Sequence, residues 1–207
     1  LLSCGGSPSE QPAPARPSVL VITLDTLRAD ALGVYGNRYE PSPYIDSLAV
    51  QGTRFSRAYT VTPLTIPAHS SLFTSMWPPR HGVQDNGDFF LTDEADTLAE
   101  RMKAGGYSTM ASVGAEVTSH HWGFGQGFDA FYDDMGGSRD EEKNRWRVER
   151  PASDVVSDAH AWFDKLEATK EYCYDSFVSR HLFGPSFSLG ERVGEIVGDA
   201  VRSFGEV

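Results

Sequence analysis

The run Ser18-Val19-Leu20-Val21-Ile22-Thr23-Leu24-Asp25 constrains this chain more than any other stretch. From Val19 to Leu24 every residue is apolar or β-branched, with no polar alternation. That pattern predicts a central strand covered on both faces, as in parallel sheets whose crossover helices lie on either side. Asp25 closes the run, at the carboxyl end of the strand, where open α/β sheets place their ligands. A carboxylate at that point is either a loop-opening cap or a hard oxygen ligand for a divalent cation. Arg28 and Asp30, which follow, read as structural or solvated.

The rest of the chain alternates helices and strands. Pro43 to Gly52 carries Ile45, Leu48 and Ala49 at helical spacing, with Gly52 as the stop. Thr53 to Thr60 alternates weakly around Phe55 and Tyr59 and reads as a strand. Trp77 to Gly82 reads as a turn, and Asn86-Gly87 closes the loop after it. Asp93 to Gly105 sets Leu98, Ala99 and Met102 on one helical face. Tyr107 to Val113 reads as a strand, Gly114 to Gly127 as a glycine-rich loop, and Phe128 to Tyr132 as a short strand. Asp133 to Arg150 is charged and expected to be exposed. Pro151 to Thr169 is an amphipathic helix with Val155, Val156, Ala159, Trp162, Phe163 and Leu166 in one stripe. A weaker helix is expected from Gly190 to Phe204. Together these predict an α/β domain with a largely parallel sheet over residues 18–207, preceded by a tether at 1–17.

The net charge of −11 excludes nucleic acid as a partner, because a phosphate backbone needs a basic face. It also requires any anionic substrate to be drawn in by a local feature such as a metal or a few cations. No apolar run is long enough to span a bilayer. Leu1-Leu2-Ser3-Cys4-Gly5 resembles the end of a bacterial lipobox, the signal whose cysteine is lipidated, and four prolines follow between Gly5 and Pro17. The resemblance implies a lipid anchor on Cys4, a proline-rich tether, and a location outside the cytoplasm on a bacterial membrane surface. Two cysteines, Cys4 and Cys173, make no disulfide framework.

The chemistry concentrates in Pro63-Leu64-Thr65-Ile66-Pro67-Ala68-His69-Ser70-Ser71-Leu72-Phe73-Thr74. It reads as a loop entering a helix, with Pro67 in the first turn, where a missing N–H costs nothing. Thr65 has two readings. It is an N-cap whose hydroxyl accepts a first-turn N–H, or it is a nucleophile at a helix end whose free N–H groups suit a tetrahedral anion. A threonine hydroxyl is a weak nucleophile and needs a base or a metal.

Val21-Ile22-Thr23-Leu24-Asp25, then Thr65-x-Pro67-x-His69, Ser71-Leu72-Phe73-Thr74 and Pro79-Arg80-His81-Gly82-Val83 resemble, in order and separation, the sulfatase family of the alkaline phosphatase superfamily. The resemblance runs from about Ser18 to Phe163. It implies a mixed, largely parallel sheet between helical layers and a metal-dependent hydrolase or transferase of sulfate or phosphate esters. By the same resemblance Asp25 matches a metal-binding aspartate, and Thr65 matches the nucleophile, which also touches the metal. Asn86 matches the asparagine that holds a substrate oxygen in the related nucleotide pyrophosphatase/phosphodiesterases. His69 stands where many sulfatases carry an arginine, and either orients the loop, donates to the leaving group, or is a helix-surface residue. Arg80 and His81 read as turn residues, and His120 and His121 lack a partner at metal spacing. The implied cofactor is a divalent ion, calcium, zinc, magnesium or manganese.

The chain departs from the pattern in five places. Thr65 replaces the cysteine or serine that becomes formylglycine, which favours phosphate esters. Thr26 replaces a second aspartate. The lysine and histidine expected after the Tyr107 to Val113 strand are absent, with Ala115 near that place. No strand bearing a substrate histidine is recognisable after Thr169. The later metal ligands of the family are missing as well, so the chain is expected to be the N-terminal part of such a domain. Three functions remain: a hydrolase of small-molecule, glycan or lipid esters; a non-catalytic binding lipoprotein of the same fold; and a transferase passing the group to a lipid or glycan alcohol.

Overall fold

The computed structural model describes residues 17–39, 42–136, 139–140, 145–146, 149–169 and 174–181. The two cysteines and the helix expected from Gly190 lie outside them. Four parallel strands form one sheet in the order β1-β6-β2-β3, where β1 is Val19–Asp25, β2 is Ser108–Val113, β3 is Ala130–Tyr132 and β6 is Tyr174–His181. A two-residue antiparallel pair, β4 (Arg139–Asp140) and β5 (Arg145–Trp146), stands apart from it. The helices are α1 (Pro43–Gln51), α2 (Thr65–Thr74), α3 (Pro78–His81), α4 (Leu98–Ala104) and α5 (Ala152–Thr169). No helix among the described residues is long and apolar enough to cross a membrane.

Alternation along the strands assigns the two faces. Met110 packs with Ala159 and Trp162 of α5, joined by Ala130, Tyr132, Phe163 and Leu166. Ala111 and Val113 point the other way, packing with Val21, Phe73 of α2 and Phe131. Helices α5 and α2 therefore cover opposite faces. Thr23 and Asp25 share the parity of Val21 and fall on the α2 side. A second cluster of Ile66, Val83, Leu91, Ala95 and Phe124 lies beneath α2.

Several expectations are corrected. The strand buried on both faces is β2, whose last five residues are all buried; β1 ends the sheet's order among the described residues and is half-buried throughout. Thr53 to Thr60 forms no strand: without a neighbouring strand to take its hydrogen bonds, it runs as an exposed loop, with Tyr59 87% accessible. Trp77 to Gly82 contains a full helical turn, since Pro78 opens it at the first position and Gly82, at φ 82°, closes it. Helix α4 starts at Leu98 rather than at Asp93, because Thr97 and Glu100 form a capping box there. Arg150 is not a solvated charge. Its side chain, 8% exposed, donates to the Val113 carbonyl at 2.8 Å and to the Ser112 hydroxyl at 2.7 Å, and pairs with Asp158 at 2.6 Å. It ties the carboxyl end of β2 to α5. Strand β6 lies where no strand was recognisable, between β1 and β2. Only Tyr174, Phe177 and Val178 of its eight residues are apolar, so no periodicity marked it.

Candidate active site

Asp25 ends β1, and all strands of the sheet are parallel, so it stands at the carboxyl edge. The next residue, Thr26, has φ 58°. A β-branched residue there is strained, and such strain collects at functional turns. The chain turns off the sheet at that point and opens a cleft of about 820 Å³. Asp25, Thr65, His69 and Ser71 line it together, beneath apolar walls that include Leu24 and Leu72. The volume is that of an ordinary small-ligand pocket.

Thr65 is the first residue of α2; the capping position is Leu64, which brings no side-chain cap. Asn86 takes that role from twenty residues away, its Oδ1 accepting the Ile66 N–H at 2.9 Å. The amide nitrogen of Asn86 thereby becomes the end left to donate. This replaces the N-cap reading of Thr65: the hydroxyl stands one position beyond the cap, at the cleft, where the dipole of α2 favours negative charge.

His69 is buried at 8% exposure and is not a helix-surface residue. Its Nδ1 lies 2.9 Å from the Thr65 carbonyl, which can only accept, so Nδ1 carries hydrogen. Its Nε2 meets the Thr23 hydroxyl at 3.3 Å. The rings of Phe73 and Phe124 flank it, with centroids 6.2 and 6.1 Å away. His69 thus ties the first turn of α2 to β1. Helical spacing cannot show which polar residue of a short helix turns inward.

His81 is also buried, at 5% exposure. Its Nδ1 accepts the Val83 N–H at 3.1 Å and its Nε2 lies 2.8 Å from the Ser71 hydroxyl. Burial holds its pKa below the ordinary histidine value, only partly offset by the backbone hydrogen bond. Arg28 pairs with Asp30 in the open and Arg80 is exposed, as expected of structural or solvated residues. His120 takes Asp133 as the partner of its Nδ1, which spacing alone did not show.

The residues fit a divalent metal only in part. Asp25 and Thr65 offer one carboxylate and one hydroxyl, and no group of three acidic, histidine or cysteine side chains gathers among the described residues. A hard cation takes six or more oxygens, so the donor set here falls short of a site. One residue that sequence reasoning missed stands close by: His181, the last residue of β6, is the register partner of Asp25. The weak apolar signal of β6 hid it.

An acid at a strand end and a hydroxyl at a helix start, opening on one cleft, define an α/β protein that gathers its site at the carboxyl edge of a parallel sheet. The sulfatase family profile matches residues 17–183, and the chain belongs to the sulfatase family. It is 36% identical over 112 residues to an ulvan-active sulfatase of Formosa agariphila, a match covering 53% of this chain and 22% of that protein. Among solved structures it resembles Ps i-CgsB in complex with k-i-k-neocarrahexaose, at TM-score 0.74 and 20% identity over 93% of this chain and 55% of that one. It also resembles the phosphonate monoester hydrolase of Agrobacterium radiobacter, at TM-score 0.64 and 21% identity over 87% of this chain and 44% of that one. The fold is therefore alkaline phosphatase-like. The match spans about a fifth of the curated relative's length.

Proposed function

We propose that the protein is a hydrolase of sulfate or phosphate esters that uses Thr65 as its nucleophile. The observation that carries this reading is the position of the Thr65 hydroxyl: first residue of α2, at a cleft shared with Asp25, its capping duty taken over by Asn86. The hydroxyl oxygen attacks the ester's sulfur or phosphorus and the alcohol leaves, forming a covalent ester that water then releases. The positive end of the α2 dipole and the Asn86 amide stabilise the oxygens on which charge develops. His69, through the Thr65 carbonyl and Thr23, fixes the first turn so that the hydroxyl keeps its line of attack. Threonine cannot become formylglycine, which supports phosphate esters beside sulfate esters.

Sulfatases generally use a divalent metal ion. Asp25 and Thr65 are the residues we assign to its edge; the remaining ligands are not among those described. A glycan or other small-molecule ester is the substrate class. The Cys4 motif and the prolines after it support anchoring at a bacterial membrane surface outside the cytoplasm.

The test is a panel of 4-nitrophenyl sulfate, phosphate, phosphodiester and phosphonate, assayed with and without chelator. Wild-type protein is expected to turn over at least one ester, and Thr65→Ala to lose at least about 10³-fold in kcat while keeping its unfolding midpoint. Undiminished turnover in Thr65→Ala overturns the nucleophile.

A further inference from the structure

Asn86-Gly87 sets a side-chain amide beside a residue with no Cβ. The turn that holds the pair, residues 84–88, is exposed. Gly87 has φ 113°, a backbone state that suits glycine and strains any other residue. Among the described residues nothing accepts the Gly87 N–H. Its nitrogen is therefore open to water and unshielded by a side chain. Closing that nitrogen onto Cγ of Asn86 makes a five-membered ring.

The fold prepares the other partner of this ring closure. Oδ1 of Asn86 accepts the Ile66 N–H at 2.9 Å, at the start of the ten-residue α2. When the Gly87 nitrogen attacks Cγ, negative charge collects on Oδ1. The hydrogen bond and the positive end of the helix stabilise that charge, as an oxyanion hole does. Nδ2, the end that must leave, is the one Ile66 does not hold. The chain's other two asparagines differ: Asn37 precedes Arg38 and Asn144 precedes Arg145. Asn37 is also held at both ends, donating to the Ala31 carbonyl and accepting the Tyr39 N–H, each at 2.9 Å.

We propose that Asn86 is a modification site, which closes onto the Gly87 nitrogen, loses ammonia and becomes aspartate and isoaspartate. The Gly87 nitrogen gives its proton to water and bonds to Cγ; the Cγ–Nδ2 bond breaks and ammonia departs. Water then opens the cyclic imide. Opening at Cγ gives aspartate, which keeps an oxygen for the Ile66 N–H. Opening at the main-chain carbonyl gives isoaspartate, whose main chain runs through Cβ and Cγ. That product withdraws the capping oxygen, and Leu64 brings no side-chain cap to replace it. Both products remove the amide donor. The modification stands apart from the functional reading above, and only its effect on turnover rests on that reading.

The experiment stores the folded protein for days in mildly alkaline buffer made with heavy-oxygen water, then maps its peptides by mass. Most of Asn86 is expected to convert, with one heavy oxygen gained, while Asn37 and Asn144 stay amides. The urea midpoint is expected to fall as the isoaspartate fraction grows, and turnover to fall with the total converted. Gly87→Ala shields the nitrogen with a Cβ that has nothing within 4 Å beyond the adjoining residues, and is expected to keep Asn86 an amide. Conversion in Gly87→Ala at the wild-type rate overturns the ring closure. Should that variant, strained at this φ, fail to fold, the wild-type map decides alone. Asn86 left intact in the folded protein overturns the proposal, whether or not it converts in urea. If fresh protein hydrolyses no ester, the functional reading fails, and the mass map and urea midpoint still judge the modification.

Discussion

The two faces of the parallel sheet are closed by different forces. On the α5 face, Ala159 and Trp162 are buried to 5% and 6% exposure against Met110 at 0%, and apolar contact carries the packing apart from the Arg150–Asp158 tie at the carboxyl end of β2. On the α2 face, His69 is buried between the rings of Phe73 and Phe124, and Ser70, Thr74 and His81 are buried polar residues as well. There the helix is held by named hydrogen bonds: His69 to the Thr65 carbonyl and Thr23, Asn86 to the Ile66 N–H, and His81 to Ser71. A wall made of hydrocarbon offers no heteroatom to a ligand. A wall pinned by polar side chains keeps some of them at the cleft's edge, positioned in advance.

That contrast predicts a division between activity and stability. The largest effect is on Thr65→Ala, with catalysis lost and the fold intact. Its counterpart on the other face is Trp162→Ala. Removing a buried indole is expected to cost about 3–4 kcal/mol of unfolding free energy, read from urea titration, with kcat on any hydrolysed ester changed less than two-fold, roughly. A Trp162→Ala protein that is as stable as wild type would show that α5 is not the apolar keel described here.

Asn86 tests the polar face at a smaller scale, because it combines both duties. Asn86→Asp keeps an oxygen to accept the Ile66 N–H and places a negative charge at the start of α2, so stability is expected to hold within about 0.5 kcal/mol or rise. The donated amide is gone, and the new charge repels an anionic ester. A loss of about 10²-fold in kcat/KM is expected. Equal activity in Asn86→Asp would leave Asn86 as a cap and nothing more.

The same contrast explains what was legible beforehand. Apolar periodicity marked β1, β2, α1 and α5, since burial of hydrocarbon leaves a period in the sequence. The strand end and the helix start marked Asp25 and Thr65, the family resemblance added Asn86, and the geometry puts Asp25 and Thr65 on one cleft and Asn86 at the cap of α2. Three things left no such trace. The burial of His69 depends on partners far away in sequence. The capping of α2 comes from a residue twenty positions on. Strand β6, with Asp175, Ser176, Ser179 and Arg180 among its eight residues, is central by its place in the sheet and not by its composition.

The smallest expected effect is a pH dependence at His81. In the unfolded chain this histidine takes up a proton near its ordinary pKa of about 6.5, while in the folded protein burial resists the same proton. The unfolded state then binds more protons as pH falls through that value, so stability is present above it and declines below it. Protonation would also force hydrogen onto Nδ1, opposite the Val83 N–H, and break the turn that holds α3 against α2. Urea midpoints at about pH 7.5 and about pH 5.5 are expected to differ more in wild type than in His81→Gln, whose amide has no proton to gain. Equal pH sensitivity in the two proteins would place the titrating group elsewhere and free His81 from the role of a neutral strut. A difference confined to wild type would tie the polar wall's integrity to the neutral tautomer that bonds Val83 on one side and Ser71 on the other.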